Sequence, residues 1–204
     1  VHLITLLSRL MLVFSLLGLV GCATTPPAKT QDICSIFSEK RSWYKQAKRA
    51  EKKWDSSLPI MMSIMFQESQ FKHNARPPRK KILWVIPGPR ASDAYGYPQA
   101  KNATWKEYQR STGNGWARRD KFKDAIDFIG WYNKQSQIRS RISPTNARNL
   151  YLAYHEGHGG FNRGTYRNKG WLLRTAQNVD SRAEQYQRQL NSCESSCKRR
   201  WLFF

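Results

Sequence analysis

Glu68 is an acidic residue at the end of the most apolar stretch of the chain, Ile60, Met61, Met62, Ser63, Ile64, Met65 and Phe66. Packing near Met65, Phe66 and Phe71 disfavours the charged carboxylate and raises its pKa toward neutrality. A carboxyl group in that state can hold a proton near pH 7, release it and take one back, which is the work of a general acid and base. The competing reading is a solvent-facing glutamate at a frayed helix end, paired with a nearby Lys or Arg. Two other segments carry polar groups in a patterned way. Ser92, Asp93, Ala94, Tyr95, Gly96, Tyr97, Pro98 and Gln99 predict a tight loop in which Gln99 aims an amide at a polar ligand. Tyr154, His155, Glu156 and His158 lie where a helix runs into Gly157, Gly159 and Gly160. The histidines raise the question of a metal, but these glycines would break the helix that His-Glu-x-x-His spacing requires, so no metal ligand is assigned.

The elements that must position these residues are mostly helical. Residues 33–54 read as a basic helix interrupted by Phe37, Trp43, Tyr44, Ala47 and Trp54. Ser56 or Ser57 can cap the next helix, with Pro59 in its first turn, and its apolar residues on nearly every side mark it as central and buried. Pro77, Pro78, Pro87 and Pro89 break residues 75–91, leaving a basic flap (Arg76, Arg79, Lys80, Lys81, Arg90) around one short strand at 82–86 that contains Trp84. A helix is expected from about Ala103 or Thr104. Asp120 can cap another, with Phe122, Ala125, Ile126, Ile129 and Tyr132 on one face. Ser143 and Pro144 open the next, with Ala147, Leu150, Tyr151 and Tyr154 inward. The last is the cleanest: Leu172, Ala176, Val179, Ala183, Tyr186 and Leu190 alternate steps of four and three.

The chain has 204 residues, with 35 Lys+Arg against 14 Asp+Glu, and it is rich in aromatic rings. So basic a balance points to a polyanionic surrounding. Leu19, Val20, Gly21 and Cys22 close a short apolar leader in the manner of the lipobox of bacterial lipoproteins. The expectation is a signal peptide at 1–21, a lipid anchor on Cys22 with a tether to residue 31, one domain at 32–190, and a basic, aromatic tail at 191–204. Export argues against a nucleic-acid partner, and a monomer is expected. Of the remaining cysteines, an oxidising compartment favours a bridge from Cys34 to Cys193 or Cys197, with Cys193–Cys197 as the competing pair.

In this order, Glu68-Ser69, then Gly96-Tyr97-Pro98-Gln99, then Ala153-Tyr154-His155 resembles the motif series of soluble lytic transglycosylase (SLT) domains, which carry Glu-Ser, Gly-Leu-Met-Gln and Ala-Tyr-Asn on a goose-type lysozyme-like fold. The resemblance covers about residues 55–165. It implies a mainly α, lysozyme-like domain that needs no cofactor and cleaves the glycan strands of peptidoglycan at the cell envelope. Ala23 after Cys22, in place of Asp, resembles an outer-membrane sorting signal, so the expected anchor is on the periplasmic face of the outer membrane. Carried over residue by residue, the SLT resemblance makes Glu68 the acid/base and Tyr154 the tyrosine that positions its carboxyl. Ser92 becomes the serine that assists the reacting sugar. Gln99 becomes a substrate-groove residue, with Gly96, Tyr97 and His155 of the same motifs beside it. Apart from the motifs, the basic flap with Trp84 is a candidate for one groove wall, or else a solvated loop with one packed Trp. Three departures stand out: Tyr97-Pro98 in place of Leu-Met, His155 in place of Asn, and a longer interval between Glu68 and Gly96.

Overall fold

The computed structural model describes residues 25–82 and 86–202, so Cys22 and Trp84 lie outside the described residues. Among the described residues there are seven helices and one two-stranded hairpin. Helices α1 (Ile33–Glu39), α2 (Arg41–Trp54) and α3 (Leu58–Ser69) precede strands β1 (Arg79–Ile82) and β2 (Ile86–Arg90). Helices α4 (Asn102–Thr112), α5 (Phe122–Ser140), α6 (Ala147–Arg163) and α7 (Gly170–Leu202) follow.

Helix α3 is the centre of the bundle. Its residues from Leu58 to Met65 are buried without exception, so no face is left for water. It packs on α7, α5 and α2. A helix apolar all round is stable only inside a bundle of this kind. Ser57 occupies the N-cap position without a side-chain hydrogen bond, and the Glu51 carboxylate instead accepts from the N–H of Leu58 at 2.8 Å. At its other end Gln70 and Phe71 take positive φ angles of 50° and 59°, which stop the helix one turn after Met65 and turn the chain away.

Several boundaries differ from those read in the sequence. The basic segment 33–54 is two helices, because Lys40 leaves helical geometry between them. Of the strand expected at 82–86, residues 83–85 lie outside the described residues; on either side of them β1 and β2 pair antiparallel, Arg79 with Arg90 and Ile82 with Ile86. Asp120 does not cap α5: it pairs with Arg118 at 2.7 Å, while Asp124 in the first turn accepts the Arg118 N–H. Helix α6 is opened by Asn146, whose side chain accepts from the N–H of Asn149 at 2.9 Å, rather than by Ser143 and Pro144. The inward faces read for α5, α6 and α7 stand: all are buried except Tyr154, which is half-buried.

Helix α7 does not end near residue 190 but runs on to Leu202. It lies against α3, α6 and α1, and a disulfide joins its Cys193 to Cys34 of α1 with the Cα atoms 6.1 Å apart. Gln189 accepts from the N–H of Ile33 at 3.0 Å, and the Tyr186 hydroxyl donates to the carbonyl of Thr30. Cys197, one turn further on, is buried and outside the disulfide. Among the described residues no helix is long and apolar enough to cross a membrane.

Candidate active site

The end of α3, the loop from Ala94 to Lys101, α5 and the kinked part of α6 enclose a cleft of about 420 Å³. Glu68, Phe128, Tyr132 and Tyr154 line it together with Gln99, Ala100 and Thr104 on one side and His155, Glu156 and Gly157 on the other. Pro77 adds the root of the hairpin.

Glu68 is held on the last turn of α3, at the negative end of the helix dipole and amid buried apolar side chains. Burial raises its pKa to about 7, against the opposing pull of a hydrogen bond from the Tyr151 hydroxyl. Tyr151 was read as a core residue of α6. It is buried, but it is also the phenol that meets the carboxyl group. Tyr154, expected to hold Glu68, instead donates its hydroxyl to the carbonyl of Pro98 at 2.6 Å. It faces the same cleft, and burial, with the nearby Glu68 charge, drives its pKa well up. Tyr151 and Tyr154 sit three residues apart on one helix face, so both project toward the same carboxyl group. That spacing was the available signal for Tyr151.

The Gly96 loop is built by backbone geometry. Gly96 has φ 75°, and a Cβ there would fall 2.3 Å from the carbonyl oxygen of Arg119. Its N–H donates to Ala75 at 2.9 Å, and the N–H of Tyr97 donates to Arg119 at 3.0 Å. Gly96 therefore serves the loop. Tyr97 is a correction: it is 2% exposed, edge-on to Trp43 and Phe122 in the core, and does not line the cleft. Gln99 does line it. Its Nε2 donates to the carbonyls of Ala75 and Gly96, both at 2.9 Å, so the amide is fixed with Oε1 left for another donor. Ser92 accepts from the N–H of Ala94 at 3.3 Å; Ala94 lines the cleft and Ser92 does not.

On the opposite wall the carboxylate of Glu156 is saturated. Lys169 donates to both oxygens at 2.8 and 2.7 Å, Thr165 donates to Oε2, and His155 Nδ1 lies 3.1 Å from Oε1. Burial works to raise its pKa, yet these donors outweigh it and hold Glu156 down at about 2. An ionised carboxylate only accepts, which fixes the proton of His155 on Nδ1. Helix α6 is broken at Gly157, whose φ of 74° and ψ of 156° belong to glycine alone. The expected interruption by glycine is thus a kink within α6, after which the helix resumes and carries His158 onto the Tyr132 ring, 4.5 Å away. Among the described residues no group of three or more His, Cys, Asp or Glu is placed to hold a metal ion.

The cleft thus holds two carboxyl groups pushed in opposite directions, Glu68 up toward neutrality by burial and Glu156 down by its donors. The family described as transglycosylase SLT domain matches the chain over residues 10–193. No curated protein and no solved structure matches it. The mainly helical architecture is that of an SLT, lysozyme-like fold. The chain belongs to the transglycosylase SLT domain family.

Proposed function

We propose that the protein is a peptidoglycan lytic transglycosylase that cuts the β-1,4 bond between N-acetylmuramic acid and N-acetylglucosamine and leaves a 1,6-anhydro-muramyl end. The observation that carries this reading is the state of Glu68, a cleft carboxyl group whose pKa of about 7 lets it act in both directions near neutral pH. Protonated Glu68 donates to the glycosidic oxygen as the bond from muramyl C1 breaks and positive charge develops on the ring. The resulting carboxylate takes the proton of the muramyl C6 hydroxyl, whose oxygen bonds to C1. The proton count closes on one residue and no water is consumed.

Hydrolysis by a pair of carboxylates is the rival chemistry. The second carboxylate on this cleft, Glu156, is engaged on both oxygens by Lys169, Thr165 and His155, which favours the one-carboxylate route. Stabilisation of the sugar cation then falls to the substrate's own acetamido group, with Gln99 and Tyr154 shaping the wall beside it. Ser92, whose hydroxyl is taken up within its own loop, is kept as a residue that acts by holding Ala94 at the rim. The leader ending at Cys22 supports a lipid anchor at the cell envelope, on the periplasmic face of the outer membrane, with the domain as a monomer on a short tether.

The test is analysis of the products released from purified sacculi. The wild type should yield 1,6-anhydro-muropeptides and Glu68→Gln none. Reducing-end products would make the protein a hydrolase. The absence of products from both proteins would leave a wall-binding domain.

A further inference from the structure

The cleft wall extends beyond the residues that enclose it. Trp171, in the first turn of α7, is 52% exposed, although large apolar rings are normally withdrawn from water. Its ring stands edge-on to His155, with centroids 5.2 Å apart and planes at 78°. His155 in turn lines the cleft and lies 6.5 Å from Tyr151, the ring that contacts Glu68. Tyr151, His155 and Trp171 therefore form a continuous aromatic track from the acid to the surface.

The track is held from both ends. Lys169, two residues before Trp171, is clamped by both oxygens of Glu156, which also holds His155 through Nδ1. Leu172, the next residue, is fully buried in the core, so Trp171 cannot turn inward without unseating α7. With Nδ1 occupied, His155 presents Nε2 as its remaining polar atom.

A flat apolar ring beside a fixed hydrogen-bonding nitrogen matches a pyranose, which has apolar C–H faces and hydroxyl groups at its edge. We infer that Trp171 and His155 form an outer sugar-binding ledge that holds one further hexosamine unit of the glycan strand. This deepens the proposed function and rests on it for the identity of the strand. Trp116 supplies the contrast: it is 95% exposed on the loop between α4 and α5 and has no place in the cleft.

The experiment compares Trp171→Ala and Trp171→Phe with the wild type on sacculi and on the shortest glycan fragment that the wild type cleaves, with Trp116→Ala as control. Trp171→Ala should raise KM on sacculi roughly five- to tenfold with kcat nearly unchanged, and leave the short fragment unaffected. Trp171→Phe should recover most of the loss, and Trp116→Ala should match the wild type. A second leg measures binding of the N-acetylglucosamine hexamer and trimer in the Glu68→Gln background. There the added Trp171→Ala change should weaken the hexamer by a similar factor and spare the trimer. Equal losses on long and short ligands, or no loss on either, would overturn the ledge. If the wild type cleaves nothing, the proposed function fails, and the hexamer–trimer comparison still decides the ledge.

Discussion

A buried carboxyl group that holds its proton up to about pH 7 conflicts with stability. The native state retains the Glu68 proton up to about pH 7, while the unfolded chain releases it near 4.5. The unfolded state therefore gains relative stability as pH rises between those values, and the deficit persists above pH 7. Glutamine has the same shape and no proton to lose. Glu68→Gln should accordingly be more stable than the wild type at pH 8, by up to about 3 kcal/mol in unfolding free energy, and the gain should vanish by pH 4. Denaturant titrations at the two pH values measure it, and equal gains at both would mean that Glu68 is not strained by burial. Tyr151 works in the other sense, because its hydrogen bond favours the carboxylate. The proposed cleavage starts from protonated Glu68 and should fall as pH rises through about 7. In Tyr151→Phe the falling limb of kcat/KM should move to higher pH, and kcat should drop as the carboxyl loses its guide. An unmoved limb would leave Tyr151 as packing alone. The burial of Glu68 was legible because it follows a run of Ile, Met and Phe, although a solvent-facing place at the helix end fitted the sequence equally. Tyr151 was not, because its spacing on α6 fits a core position equally well. Tyr97 was misplaced because its position in the motif series put it in the groove, and the rings of Trp43 and Phe122 claim it for the core.

At the scale of elements, the cleft depends on a helix that is broken in one place. Up to Glu156 the helix α6 sends Tyr151 and Tyr154 toward Glu68 and then, by the kink at Gly157, leaves the cleft mouth open. A Cβ at Gly157 would meet nothing within 4 Å, so space is not the constraint. The constraint is the backbone, since φ 74° with ψ 156° is strained for any other residue by about 1–3 kcal/mol. Gly157→Ala should therefore destabilise the fold by that amount, or straighten α6 and displace His155. Melting curves beside kcat/KM on sacculi separate the two, and a variant unchanged in both would place the kink outside the mechanism. The glycines were readable as a break, but not as a kink between two helical stretches, because the Glu156–Lys169 clamp that holds the far side is a tertiary contact. Cap positions failed more simply. Asp120 and Ser143 are good N-cap types, yet Arg118 draws Asp120 into an ion pair and Asn146 stands nearer the first helical turn. Local propensity proposes several caps, and the docking of the helix selects one.

In the molecule as a whole, α7 connects two functions that lie far apart. Its first turn carries Trp171 beside the cleft, and its far part carries Cys193 bound to Cys34. The sequence could not separate Cys193 from Cys197, because residues four apart share one face of a helix. The docking of α1 on α7 decides between them, with Ile33 bonded to Gln189 one turn before Cys193. The bridge spans 159 residues, nearly the whole domain. In the chain-entropy description, closing such a loop removes about 5 kcal/mol of freedom from the unfolded chain. For a domain of this size, that corresponds to a melting shift of about 10–20 °C. The double variant Cys34→Ala/Cys193→Ala should lose stability on this scale. It should nevertheless keep its cleft, because Lys169 and Cys193 are separated by about 36 Å of helix. At 20 °C, kcat on sacculi should then remain within about twofold of the wild type, while the melting temperature falls. A loss of activity at 20 °C without unfolding would mean instead that strain travels down α7 to the Glu156–Lys169 clamp, and that the long helix couples the N-terminal segment to catalysis.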